Sequence, residues 1–390
     1  MTPTDRSASP FQANRNENEM WAEVESLPAL IRERLRPTDE AVRRLLDHNE
    51  CLSVKQIFIT GCGDSHNAGV AAEVVFDTLT GIPAHALPAM QFSRYTIRTL
   101  RRDFPRNPLV VGISTSGEVS RTIEALTLAR QHGALTVALT GNGESRAARA
   151  AEKVLAVSTE SYGRSPGVRT YAMSLLSLYL LAIRLGEVAA RYTQSEADDL
   201  RAELLGTADE IEATIAASAQ AALVIGREMG AAPNFVFVGS GPNYATALFG
   251  AAKMVEAAGK HVIGQEMEEW AHLQYFSKEA NTPTVLIAPP GESHDRAVEL
   301  VQVMRHLGRR VIAVVAEEDR DIAPHADGVL PIRGRVREMF SPFVSCVPVE
   351  LLAAVVAHAC GEPYFRQTTP TYDTGNGIRV SQIRASGFEE

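Results

Sequence analysis

One order of apolar, β-rich runs occurs twice in this 390-residue sequence, and the two occurrences lie about 175 positions apart. The first set comprises residues 56–60, 109–114, 135–140 and 154–158, and the second comprises residues 235–239, 284–288, 311–315 and 329–332. Apolar strands that alternate with amphipathic helices form parallel sheets covered on both faces. A period this long indicates two similar domains rather than a stacked repeat array. The sequence therefore predicts an α/β protein with two similar doubly wound, parallel-sheet domains.

The segments around the repeats complete the predicted layout. The length and the 45% hydrophobic content are sufficient for two buried cores. The segment between the repeats is rich in Ala and Glu at helical spacing, which predicts linking helices. The expected order is a disordered N-terminal segment (1–20), a first domain with N-terminal helices (21–193), a helical linker (194–230), a second domain (231–360) and a C-terminal tail (361–390). The tail is rich in Thr, Pro, Gly and Asn, and we expect it to be disordered or laid across another surface.

Net charge and cysteine usage limit the partners of the protein. The formal net charge of −9 repels nucleic acids and acidic membrane surfaces, which favours a small-molecule ligand held by loop amides and single basic side chains. The four cysteines, Cys51, Cys62, Cys346 and Cys360, form no CxxC pair, and we expect reduced core residues and no metal site. No apolar run approaches the roughly 20 residues of a membrane span, and the N-terminus has no signal-peptide pattern. These features predict a cytoplasmic protein.

The turn after the first predicted strand has the composition of an anion-binding loop. Gly61 and Gly63 allow a tight turn, after which Asp64 and Ser65 open a helix whose first backbone amides are free. A nicotinamide cofactor is not expected, because His66 replaces the third glycine of a GxGxxG motif and the next strand region carries no acid for a ribose. The loop therefore predicts a site for a small anion.

A second polar loop follows the strand at 109–114. It contains Ser114, Thr115 and Ser116 and leads into a helix. By themselves Ser114 and Ser120 could merely cap that helix. Because both loops follow neighbouring strands of one predicted sheet, at the edge where open parallel sheets bind ligands, a shared phosphate site is favoured.

The two motifs, GCGDSHNAG at 61–69 and STSGE at 114–118, resemble those of the sugar isomerase (SIS) domain family. Their duplication is similar to the isomerase half of glucosamine-6-phosphate synthase, and the resemblance covers about residues 20 to 365. It implies a flavodoxin-like fold for each domain and a phosphate held by the 114–116 loop together with Ser65. Val119 stands where the family usually has another phosphate-binding Thr, and Arg121 falls in a stretch that is more often acidic or neutral. Since arginine binds phosphate and sulfonate alike through paired donors, either head group is expected.

A Lys–Glu pair and a later histidine are the candidate catalytic groups. On pattern alone, Lys253 and Glu256 are typical of an exposed helical ion pair, and His272 of a partly buried structural histidine. In the related isomerases a Lys and a Glu with this spacing, followed by a His at this distance, perform the enolisation. The resemblance thus implies that Glu256 moves the proton between C1 and C2, that His272 transfers the ring-opening proton and that Lys253 stabilises the enolate oxygen. Neither a metal nor a cofactor is required.

The resulting hypothesis is an aldose–ketose isomerase acting on a phosphorylated or sulfonated sugar or amino sugar. Two alternatives remain open: a deglycase or deaminase that cleaves the C–N bond of a phosphorylated amino sugar, and a non-catalytic regulator that senses sugar phosphates. The sequence carries no glutaminase domain, and its tail has Arg379 where the synthase has an imine-forming lysine, so synthase activity is not expected. The resemblance also implies a homodimer in which the loop with His272 completes the partner's site. The candidate anion-binding residues are Gly63, Asp64, Ser65, Ser114, Thr115, Ser116, Arg121 and Arg379.

Overall fold

The computed structural model describes residues 18–366, apart from residues 101–105, 161, 164 and 280. Glu19 and Met20 are helical, contrary to the predicted disorder of residues 1–20, and Met20 is fully buried. The rest of that predicted disordered segment, and residues 367–390 of the tail with Arg379, lie outside the described residues.

The first domain consists of five strands and the helices around them, counted over the described residues. Its elements are α1 (Glu19–Glu25), α2 (Leu27–Leu45), α3 (His48–Ser53), β1 (Ile57–Gly61), α4 (Asp64–Thr80), β2 (Ala84–Pro88), α5 (Ala89–Arg94), β3 (Leu109–Ser114), α6 (Ser120–Gln131), β4 (Leu135–Thr140), α7 (Arg146–Ala150), β5 (Lys153–Ala156) and α8 (Arg169–Val188).

A long helix leads to the second domain, which repeats the same order of strands. The elements are α9 (Gln194–Met229), β6 (Asn234–Gly239), α10 (Pro242–Ala258), β7 (His261–Glu266), α11 (Met267–His272), β8 (Pro283–Ile287), α12 (His294–His306), β9 (Arg310–Ala316), β10 (Gly328–Ile332) and α13 (Pro342–Cys360).

The two sheets have equivalent strand orders. The first sheet is ordered β2-β1-β3-β4-β5, the second is ordered β7-β6-β8-β9-β10, and neighbouring strands are parallel in both. This confirms the predicted fold of two similar doubly wound α/β domains. In the first sheet the chain leaves β1 for β2 on one side and then passes to β3 on the other. The crevice at the carboxyl ends of β1 and β3 is therefore the switch point at which sheets of this type bind ligands.

Burial explains which strands were predictable. Strands β1, β3 and β4 are buried at every residue, and their sequences are continuous apolar runs. Strand β7 was absent from the predicted set, because His261, Gly264 and Gln265 interrupt its apolar residues. It lies at the edge of its sheet and is partly exposed, so its sequence needs no continuous apolar run.

The segment predicted as linking helices is a single helix of 36 residues, α9. Its start is fixed by a capping box, in which Thr193 accepts from the backbone of Glu196 and the Glu196 side chain accepts from the backbone of Thr193. The helix packs against α13 and β10 of the second domain and against α2 of the first. It is therefore an integral part of the core rather than a free connection.

Helices α8 and α13 are long and apolar enough to cross a bilayer, contrary to the expectation of no such run. In each helix, 83% of the most apolar 18-residue stretch is buried inside the protein. They were not recognised because short polar or small residues interrupt their apolar sequence. The long apolar helices are explained by the size of the core that they share.

The cysteines are free thiols, as expected, but they are not all core residues. Cys51 and Cys346 are buried, Cys360 is half-buried and Cys62 is exposed. Cys62 follows the last residue of β1 and lies in the loop, which is why it escapes the core.

Candidate active site

Glycine shapes the loop after β1. Gly63 has a φ angle of 58°, a left-handed conformation that glycine adopts without steric cost, and it is the N-cap of α4. A Cβ atom on Gly61 would lie 2.6 Å from the Cβ of Ser65, so the glycine permits this close approach. The first turn of α4, which carries Asp64 and Ser65, therefore sits directly at the carboxyl end of β1. The backbone amides of this turn have no acceptor within α4, so they are available to a ligand at the switch point.

The loop between β3 and α6 brings buried hydroxyls to the neighbouring strand end. The Oγ atoms of Ser114 and Ser120 are buried and have no hydrogen-bond partner among the described residues. Neither caps α6, because Val119 is the N-cap residue and no side chain binds the first-turn amides, so the capping alternative is wrong. The Oγ of Ser116 accepts a hydrogen bond of 3.2 Å from the backbone of Glu118. Unsatisfied buried donors of this kind are suited to an anion.

Arg121 lies in the first turn of α6, where it is partly buried. Its Nη1 donates to Glu124, a fully buried carboxylate that also forms an ion pair with Arg94. Partial desolvation raises the pKa of the Cys62 thiol, and the positive charge of Arg121 opposes that rise. Arg121 therefore influences the loop after β1 although it belongs to the loop after β3.

Lys253 connects the two domains at the centre of the candidate site. Its Nζ lies 2.5 Å from Asp64 Oδ2, at the start of α4, and 2.5 Å from Glu256 Oε2, one turn along α10. The lysine side chain is fully buried, so the alternative of an exposed helical ion pair is wrong. Because the Asp64 carboxylate is engaged by Lys253, its backbone amide is the part of Asp64 that remains suited to an anion.

Small residues and two aromatic rings allow the lysine to be buried. A Cβ atom on Gly250 would lie 3.2 Å from the Cβ of Val349, which shows how closely α10 approaches α13. The Nζ of Lys253 lies 5.1 Å from the ring centroid of Phe249, and Tyr171 stacks on that ring at 3.7 Å. The cation thus rests on an aromatic face while carboxylates hold its polar end.

The pKa values of Lys253 and Glu256 are both raised. Burial opposes the charged form of Lys253, but the charges of Asp64 and Glu256 outweigh burial and raise the pKa of the lysine. Burial also raises the pKa of Glu256; the charge of Asp64 raises it further, and Lys253 opposes both effects. A carboxylate whose pKa is raised towards neutrality is suited to act as a general base.

Glu350 is an acidic residue behind the lysine that sequence reasoning missed. It is 1% exposed, its Oε2 has no hydrogen-bond partner among the described residues, and burial raises its pKa well above the usual value. The charge of Lys253 opposes this rise, which places the two groups within electrostatic reach. A single acid within the apolar sequence of α13 was the signal that could have identified it.

His272 lies apart from the Lys253 cluster. It ends α11, its side chain is 72% exposed, and its Nδ1 lies 2.9 Å from the backbone oxygen of Glu268. Among the described residues, no hydrogen bond or ion pair joins His272 to Lys253 or Glu256. The structure therefore brings together Asp64, Lys253 and Glu256, but not the third predicted catalytic residue.

Two of the predicted site residues, Thr115 and Glu256, each line an opening in the surface. A cavity of about 220 Å³ lies beside Thr115, between the ends of β3, β4 and β5 and the start of α8. Glu256 lines a separate, wider groove together with Lys260, His261 and Phe365. Within the described part of the chain, no group of three or more His, Cys, Asp or Glu side chains could hold a metal ion.

The SIS domain family matches this chain twice, over residues 52–184 and 229–358. The glutamine–fructose-6-phosphate aminotransferase (isomerizing) of Gloeobacter violaceus is 28% identical over 345 residues, a match that covers 87% of this chain and 55% of that protein. The chain thus spans about half the length of the curated relatives it matches.

Solved structures share the same fold. The C-terminal domain of glucosamine-fructose-6-phosphate aminotransferase from Francisella tularensis superposes with a TM-score of 0.75 at 19% identity, covering 88% of this chain and 97% of that one. Tagatose-6-phosphate ketose/aldose isomerase from Escherichia coli superposes with a TM-score of 0.67 at 17% identity, covering 94% of this chain and 97% of that one. With its two matched regions and duplicated sheets, this chain belongs to the SIS domain family.

Proposed function

We propose that this chain is a cytoplasmic aldose–ketose isomerase that acts on an anionic sugar, most simply a sugar phosphate, through an enediol intermediate. The observation that carries the proposal is the buried Lys253, which holds Glu256 next to the first turn of α4. That turn contains the free amides of the loop after β1. A base with a raised pKa therefore lies beside a site suited to an anion.

Glu256 performs the central step in this proposal. Interconversion of an aldose and a ketose removes a proton from the carbon next to the carbonyl, passes through an enediol and returns a proton to the former carbonyl carbon. A hydroxyl proton moves from one of the two oxygens to the other at the same time. Glu256 is partly exposed, at 32%, and can reach a substrate in the groove that it lines. As its carboxylate accepts the proton, negative charge develops on the sugar oxygen. The buried cation of Lys253, 2.5 Å from Glu256, stabilises that charge through its electrostatic field.

The anionic head group binds at the switch point between β1 and β3. Candidate donors are the backbone amides of Gly63, Asp64 and Ser65, together with the hydroxyls of the 114–116 loop. Arg121 pairs with Glu124, and its charge acts on the loop after β1 from that position. Contacts of this kind hold the substrate equally in the ground state and the transition state.

His272 acts on the site of a second copy of the chain in this proposal. It is exposed and lies apart from Glu256, as a residue that completes a neighbouring site must. Leu273 and Phe276 next to it are 59% and 75% exposed, which leaves apolar area for a partner to cover. An imidazole in this position transfers the proton that opens the sugar ring.

Deuterium exchange tests the proposed reaction. The protein is incubated in D₂O with tagatose 6-phosphate, fructose 6-phosphate or glucosamine 6-phosphate, and C1 and C2 are followed by NMR. We expect interconversion with solvent deuterium incorporated at C1 or C2 for at least one sugar, because an enediol exchanges its proton with solvent. Binding without exchange for every sugar would contradict the isomerase and favour a sugar-phosphate sensor.

One observation favours a second candidate, a deglycase or deaminase of a phosphorylated amino sugar. Asp64 places a second carboxylate beside Glu256, and paired carboxylates suit the ammonium group of an amino sugar. A coupled assay for released ammonia or amine separates this reaction from isomerisation, because isomerisation releases neither.

Asp64→Asn is expected to shift the acid limb of the kcat/KM profile to lower pH. The charge of Asp64 raises the pKa of Glu256, so its removal lowers that pKa, and the base is active when deprotonated. The basic limb should also move down, since Lys253 loses one of the carboxylates that raise its pKa. Asp199→Asn, at an exposed aspartate of α9, is the control, and an acid limb that stays in place or moves up would contradict the assignment.

Ser116→Ala is expected to raise KM about tenfold with little change in kcat, because a lost hydrogen bond to an anionic head group affects binding in both states. Ser277→Ala is a matched control, since Ser277 is exposed and its Oγ also accepts from the backbone amide two residues later. Equal KM values for the two variants, measured by steady-state kinetics, would place the anion elsewhere.

Mixing Glu256→Gln protein with His272→Ala protein is expected to restore activity. In random dimers half of the molecules are hybrids, and each hybrid has one intact site, so about a quarter of the wild-type activity should return. The rate is measured after subunit exchange, which tagged variants and native mass spectrometry verify. Hybrids without activity would show that the two residues serve the same chain's site.

A further inference from the structure

The second domain contains a cavity at the same place in the fold as the cavity beside Thr115. It measures about 370 Å³ and opens at the ends of β8, β9 and β10, against the first turns of α13. Three residues that line it lie 175 positions after residues that line the first cavity: Pro290 after Thr115, Gly334 after Thr159 and Ser345 after Thr170. The duplicated fold has therefore kept a ligand-sized space at a sheet edge that the proposed active site does not use.

The walls of the two cavities differ in chemistry. In the second domain the loop after β8 presents Pro289 and Pro290, and the facing walls include Ile332 and Val344. Proline has no backbone N–H, so neither Pro289 nor Pro290 can supply an amide donor to a phosphate in this cavity. Apolar walls instead favour a ligand with an apolar body.

Three polar side chains, those of Ser345, Arg335 and Glu318, belong to the lining of this cavity. Ser345 is fully buried, and its hydroxyl has no hydrogen-bond partner among the described residues. Arg335 and Glu318 are exposed residues of the lining, and within the described chain no ion pair engages either of them. A buried hydroxyl without a partner and two unpaired opposite charges fit a ligand that carries both charges and a further polar atom.

We propose that this cavity binds a small apolar α-amino acid. The side chain of the amino acid packs against Pro289, Pro290 and Ile332. Arg335 binds its carboxylate, Glu318 binds its ammonium group, and Ser345 supplies a further hydrogen bond. The proposal does not depend on the reaction proposed for the active site, because binding is measured directly.

Calorimetric titration of the full-length protein with L-leucine and L-phenylalanine tests this site. We expect saturable binding of at least one of them, with one molecule per chain. Arg335→Gln and Glu318→Gln should each weaken it about tenfold, since each removes a charge-assisted hydrogen bond from an exposed position that does not support the fold. Arg227→Gln, at an exposed arginine of α9, should leave binding unchanged.

Analogues and one further variant make the assignment of charges specific. The affinity of L-leucinamide should be insensitive to Arg335→Gln, and that of 4-methylpentanoate should be insensitive to Glu318→Gln. Ser345→Ala should weaken L-leucine binding without destabilising the free protein, because its hydroxyl has no partner to lose. Absence of saturable binding by both amino acids at millimolar concentration, or binding that neither charge variant changes, would overturn the proposal.

Discussion

Replacing Glu256 by glutamine is expected to lower kcat by at least about a hundredfold while sugar-phosphate binding stays measurable. General acid–base groups contribute about 10²–10⁴-fold to enzymatic rates, and glutamine keeps the shape and polarity of the side chain but cannot accept the proton. The Nζ of Lys253 still finds the side-chain oxygen of residue 256 and the carboxylate of Asp64, so the fold should persist. Steady-state kinetics gives kcat, and calorimetry with the same sugar phosphate gives the affinity.

The comparison for this variant is Glu228→Gln, an identical change at an exposed position of α9. It should behave as the wild-type protein in both measurements. A Glu256→Gln protein that retains near-normal kcat would reject Glu256 as the base. Loss of both turnover and affinity, with unchanged thermal stability, would assign Glu256 to binding rather than to proton transfer.

Lys253→Met is expected to abolish turnover and to lower the free energy of unfolding by about 3 kcal/mol. Removing one partner of a buried ion pair leaves the other partner's charge uncompensated, which costs about 3–5 kcal/mol. We place the loss at the lower end because Asp64 and Glu256 are 24% and 32% exposed and keep some hydration. Urea denaturation of both proteins measures the difference.

The pH dependence of that loss identifies its cause. Lys253 opposes the raised pKa of Glu256, so without the cation the ionised form of Glu256 is destabilised further in the folded state. Protonation of Glu256 relieves this cost as the pH falls. The difference in unfolding free energy should therefore be larger at pH 8 than at pH 5. Lys278→Met, at an exposed lysine, should cost little at either pH. A loss that is equal at both pH values would indicate altered packing rather than unpaired carboxylates.

Continuous apolar runs made most of the fold predictable. The predicted and observed bounds of β3 and β4 are identical, because both strands are buried at every residue and polar loops flank them. Strand β7 could not be predicted in this way, since an edge strand tolerates polar and exposed residues. Helix α9 was predictable from the helical spacing of its apolar residues. Its contacts with both domains were not, because they join residues far apart in the chain.

The sequence pointed to most residues of the candidate site but not to how their side chains are arranged in space. The glycine-bounded loop after β1 and the hydroxyl-rich loop after β3 are local motifs, and their place at one sheet edge follows from parallel strand order. The spacing of Lys253 and Glu256 placed them on one helix face but was equally typical of an exposed pair. Glu350 belongs to none of these motifs, and only its burial in α13 reveals it.

The strand runs and the loop chemistry can be recognised in the amino-acid sequence, since they depend on residues close together in the chain. The duplication is visible because the same order of runs recurs. The contact of Lys253 with Asp64, 189 positions away, and the burial of the lysine are visible only in the folded protein. It also separated His272 from this cluster. Burial and pairing of these charges depend on how α10 packs against α4 and α13. No local pattern encodes the desolvation and the paired charges that shift the pKa values of Lys253 and Glu256.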